Sequence, residues 1–150
     1  MYNYSIQNRV TYSGWRHAKK TNTFKASNVY FDANKVQAYS YDWWRFVEVI
    51  GGKVVFNNYR YSTTTGGHQR KTERLLEQLG IKVDLYVEAP KGLQDLHSAI
   101  SHYENRIAEL IAAINRPGSK QAKNAERAKA IQSNRERIEV IKKLIKKQGR

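Results

Sequence analysis

The chain has 150 residues, no cysteine and a formal net charge of +14, from 27 Lys and Arg against 13 Asp and Glu. That length suits one domain, or a small domain with an appendage, and the absence of cysteine excludes disulfides and thiolate metal sites. No apolar run reaches the ~18 residues a membrane span needs, Met1 to Val10 lacks the apolar core of a secretory signal, and 11% aromatic residues argue against wholesale disorder.

Residues 1–35 are polar and weakly patterned, and predict little beyond a strand or two near Val29 to Phe31. Gln37 to Ile50 reads as extended and aromatic-rich, and Gly51-Gly52 separates it from Lys53 to Phe56. Two β-prone runs joined by paired glycines predict a hairpin, because glycine supplies the positive φ of a tight turn. Asn57-Asn58 then bends the chain before a short extended Tyr59-Arg60-Tyr61. A helix follows to Leu79, with Thr65 as the expected N-cap, Leu75, Leu76 and Leu79 as its apolar stripe and Gly80 as its stop. Val83, Leu85 and Val87 alternate with Asp84, Tyr86 and Glu88, the pattern of a half-buried strand. The expectation for residues 1–90 is an α+β body, a small antiparallel sheet with one packed helix, in β-β-α-β order from residue 37.

Glu88-Ala89-Pro90-Lys91-Gly92 marks a boundary, and residues 91–150 read as a basic helical hairpin. Leu93, Leu96, Ile100, Tyr103, Ile107, Leu110 and Ile114 repeat at 3-4 spacing, a coiled-coil-like seam. Arg116-Pro117-Gly118-Ser119 breaks the helix, with Ser119 expected to cap the next one. Ala122, Ala125 and Ala128, then Ile131, Asn134, Ile138, Ile141 and Ile145, form the expected stripe of a second, antiparallel helix. The seam's exposed edge also offers a homodimer contact.

Residues 116–150 hold twelve Lys and Arg against three acids. A merely solvated helix mixes signs at i,i+4 to limit self-repulsion. Arg127, Arg135, Lys142, Lys143, Lys146 and Lys147 have few such partners, and concentrated positive charge attracts phosphate backbones or an acidic protein surface. Tyr39, Tyr41 and Trp43 would share one face with Arg45 if the strand ran unbroken, offering a surface for stacking unpaired bases, or else the rings are core. In Thr64-Thr65-Gly66-Gly67-His68, with Arg70 and Lys71 following, positive charge sits at a helix start where the dipole is already positive. A bound anion would relieve that conflict, and a protonated His68 would add a donor; ordinary capping is the alternative.

Tyr39-Ser40-Tyr41, the hairpin and Asn58 to Gln69 resemble short phage and mobile-element proteins that carry a Tyr-Ser-x-Thr-Thr-x-x-His pattern, matched here by Tyr61, Ser62, Thr64, Thr65 and His68. The likeness covers residues 37–80 and implies a phage origin and a bacterial cytoplasm, without implying a reaction. His17, His68, His97 and His102 show no zinc spacing, and HExxH, GxSxG and Rossmann fingerprints are missing. No catalytic residue, metal or cofactor is therefore assigned. The leading expectation is a non-enzymatic accessory protein that binds DNA or RNA. A modulator of a host or defence protein, docking through the hairpin, is the alternative. A metal-independent nuclease built from His68, Tyr61, Arg70 and Lys71 is the third.

Overall fold

The computed structural model describes the backbone of residues 3–4, 23–26, 29–41 and 43–148, with side chains from residue 29 onward. Its strands are β1 (Asn3–Tyr4), β2 (Thr23–Ala26), β3 (Val29–Asp32), β4 (Gln37–Ser40), β5 (Trp44–Ile50), β6 (Lys53–Asn57) and β7 (Leu85–Val87). Its helices are α1 (Thr63–Gln78), α2 (His97–Ile114) and α3 (Gln121–Lys147), with a 3-10 turn at Leu93–Asp95 ahead of α2. The fold is α+β. Strand order in the sheet follows the chain, antiparallel from β2 to β6. The sheet is mixed rather than purely antiparallel: β1 runs parallel to β2, and β7 runs parallel to β6. The second parallel pair arises because α1 carries the chain back along the sheet before β7 begins, as parallel neighbours require.

The glycine turn lies where it was expected, Gly51 and Gly52 joining β5 to β6 at φ values of 59° and 78°. Tyr59 to Tyr61 form no strand and instead cross from β6 to α1. Their path is fixed by polar side chains. The buried Gln69 amide donates to the carbonyls of Asn57 and Tyr59, and the buried Asn57 amide donates to the Ala89 carbonyl.

Two cores share the one sheet. On one face, Leu75 and Leu76 of α1 pack with Val29, Phe31, Trp44, Phe46 and Phe56. On the other, Ile50, Val55 and Val87 pack with Leu93, Leu96, Tyr103, Ile138, Ile141 and Leu144. Val55 and Phe56 are neighbours in β6 and enter different cores, as period-two alternation demands. Phe46 and Val47 both enter the first core because β5 bulges there: Ala38 pairs with Val47 but Tyr39 with Arg45, leaving Phe46 as the extra residue. The sequence change at Pro90 thus separates two compositions, while residues on both sides of it build the second core.

Helices α2 and α3 pack on each other, and the chain doubles back between them, since Ala99 near the start of α2 and Leu144 near the end of α3 share that core. The early stripe of α3 differs from expectation. Ala122, Ala125 and Ala128 are exposed, whereas Asn124 and Arg127 are half-buried, continuing the 3-4 spacing back from Ile131. Three alanines spaced by threes drift off a seam that needs alternating threes and fours. Ser119 does not cap α3 either. Its hydroxyl donates to the Ile114 carbonyl at 2.8 Å and accepts from the Asn124 amide at 3.0 Å, so it closes the connection, and Lys120 precedes the helix without a side-chain cap.

Candidate nucleic-acid interface

Helix α1 starts three residues earlier than Thr65 as a cap would place it. Ser62, extended at φ −159°, is the N-cap: its hydroxyl oxygen accepts from the Thr65 N–H at 3.1 Å and lies 3.0 Å from the Thr65 hydroxyl. The Gly66 N–H donates to the Ser62 carbonyl at 2.9 Å. Thr65 is thereby buried inside the first turn, while Thr63 and Thr64 are exposed at a start that has no acidic residue in its first turn. Arg60 covers Gly66, where a Cβ would stand 2.5 Å from the guanidinium. Gly67 is more open, and Arg70 and Lys71 are exposed. The sequence reading does not connect Arg60 with this helix start, because it lies in the crossing segment, outside the helix that it touches.

His68 does not face solvent. It is 4% exposed, and its Nδ1 lies 3.1 Å from the hydroxyl of Ser40, itself fully buried. Burial, with a smaller contribution from Lys71, lowers its pKa to about 4, so it stays neutral across the pH range in which a surface histidine would take up a proton. This corrects the expectation of a protonated donor. The same burial keeps the imidazole, the acid–base group of the nuclease reading, away from the surface.

The aromatic residues divide in the same way. β4 ends at Ser40, Tyr41 turns at φ 54°, and β5 restarts at Trp44, so Tyr39, Tyr41 and Trp43 do not share a strand face. Tyr39 stacks on its cross-strand partner Tyr30 at 4.9 Å, on the sheet face opposite α1. Trp44 is fully buried. Trp43 and Tyr61 are each 48% exposed and meet edge to face at 5.8 Å, with Tyr41 6.2 Å from Tyr61 and its hydroxyl 3.5 Å from that of Ser62. The turn therefore gathers an open aromatic pair beside the start of α1.

The basic residues of the hairpin are not equivalent. Arg127 is half-buried and donates to the Asn124 side chain at 2.9 Å, and Arg135 is exposed. Lys147 lies along the Gly51 turn, and Gln148 donates to Glu48 and to the Leu93 carbonyl, tying the end of α3 to the sheet. Lys142, Lys143 and Lys146, with His97 from the start of α2, line an open groove of about 480 Å³. Glu139, 3.5 Å from Lys142, is the one carboxylate lining it among the described residues. Sequence weighed His97 only as a metal ligand and did not connect it with those lysines, because only the packing of α2 on α3 brings them together. The α1 start and this groove belong to elements on opposite sheet faces, so the basic sites inferred from sequence do not form one patch.

Among the described residues no cluster could hold a metal ion, and no helix is long and apolar enough to cross a membrane. Comparison with protein families, with curated proteins and with solved structures finds no match to the chain.

Proposed function

We propose that the chain is a non-enzymatic nucleic-acid-binding accessory protein of phage type, acting in the bacterial cytoplasm and holding phosphates mainly through the end of α3. The observation that carries this reading is the groove in which Lys142, Lys143, Lys146 and His97 face a single carboxylate. Cations gathered at an open surface release condensed counterions when they meet a polyanion, so binding weakens steeply with salt. Replacing Lys142, Lys143, Lys146 and Lys147 together by Gln should weaken binding of a labelled oligonucleotide by at least tenfold and flatten its salt dependence between roughly 50 and 200 mM. The melting temperature should scarcely move, because all four side chains are exposed. Equal affinity of parent and variant across that range would refute the reading.

A second reading, docking of the hairpin on a host or defence protein, draws on a separate observation. No residue from 108 to 114 or from 121 to 130 belongs to either core, and Ile111 is 40% exposed. The 3-4 spacing fits coiled-coil packing along this stretch, which would present Ile111 to a partner. Retention of a partner after nuclease treatment of a lysate would favour this reading over the first.

A further inference from the structure

We infer that the nucleic acid is single-stranded and follows one continuous track from the Trp43–Tyr61 pair, past Lys91 and His102, over His97, to Lys142, Lys143 and Lys146. The inference rests on the nucleic-acid reading above and names its substrate class.

Contacts at the base of the hairpin join the parts. The buried Trp44 indole donates to the Pro90 carbonyl at 3.0 Å, and the Gln94 amide donates to the Trp43 carbonyl at 2.6 Å. The aromatic turn is thereby fastened to the segment that opens a second groove, of about 370 Å³, lined by Pro90, Lys91, Ser98, Ser101 and His102. His97 lines this groove and the lysine groove alike, so the two adjoin. Among the described residues the carboxylates along the way are Asp95 in the second groove, Glu139 in the first, and Glu88 3.7 Å from His102. Serine hydroxyls and imidazoles line the second groove, where Lys91 is matched by Asp95, and the excess of positive charge lies at the lysine end.

The aromatic end decides between strands and duplexes. A duplex keeps its bases stacked inside and offers a protein only phosphates and groove edges, so an open indole contributes little to holding it. A single strand exposes base faces, and proteins that bind it combine a positively charged groove with aromatic rings on which bases stack. Trp43 meets Tyr61 nearly at right angles, 85°, an arrangement that leaves ring face open for a base. Sequence tolerance follows, because every base has such a face.

The test uses the full chain with labelled 15-residue oligonucleotides, single-stranded and duplex, in fluorescence anisotropy at one fixed salt concentration. The single strand should bind at least tenfold more tightly than the duplex. Trp43→Ala should weaken single-strand binding roughly tenfold and leave duplex binding unchanged, and Trp43→Phe should restore most of the loss. His97→Gln should also weaken single-strand binding, with an unchanged thermal melt showing that the fold is intact. Duplex binding equal to or tighter than single-strand binding, or indifference to Trp43→Ala, would overturn the track while leaving the α3 lysines in place as a general phosphate site. Failure to bind either polymer would end both proposals.

Discussion

At the scale of single residues, His68 shows how an interior can be written in polar letters. Thr65, His68, Gln69, Thr72, Leu75 and Leu76 are the buried residues of α1 apart from Gly66, and their spacing is that of one helix face. The leucines were legible as core; Thr65 and His68 of the same stripe were read as part of a binding segment, because His68 meets the buried Ser40 only across the fold. The buried imidazole has a consequence in pH. Its folded pKa, about 4, lies below the value of 6.5 for a free side chain. The unfolded chain therefore takes up a proton first, and stability should fall as pH drops from about 6.5 towards 4, by roughly 3 kcal/mol for this group. Urea unfolding followed across that range should show the loss in the parent and a shallower slope in His68→Gln; parallel slopes would mean that His68 titrates normally in the folded state.

At the scale of elements, period was easier to read than phase. The 3-4 seam of α2 stands out because Leu and Ile occupy almost every position. The first half of α3 has alanine on one side and Asn124 and Arg127 on the other, and hydrophobicity alone chose the alanines. The mixed sheet was hidden for a related reason: strand direction depends on where α1 delivers the chain, which no local pattern in Leu85 to Val87 records. The corrected phase can be checked by substitution. Ala125→Gln should change stability by less than about 0.5 kcal/mol, as expected for an exposed helical site. Ile131→Ala, 8% exposed in the parent, should cost about 2 kcal/mol or more. Chemical denaturation of both variants decides, and a large loss for Ala125→Gln would return the alanines to the seam.

At the scale of the whole molecule, one sheet bears two cores, so the two layers should unfold together. Trp44 reports on the α1 side, and the helical signal comes mostly from α2 and α3 on the opposite side. Thermal unfolding followed by tryptophan fluorescence and by far-ultraviolet circular dichroism should trace a single coincident transition. Two separated transitions would show that the hairpin melts independently. The shared sheet also sets the order of events during synthesis. Ile50, Val55 and Val87 leave the ribosome long before Ile138, Ile141 and Leu144, which complete the cover that Leu93, Leu96 and Tyr103 begin. For the time needed to translate some fifty residues, a few seconds at usual rates, one side of the nascent sheet is only partly covered. Such contacts, distant in sequence, close slowly. The yield of folded protein should therefore depend on holding chaperones during synthesis more than the finished protein's stability would suggest.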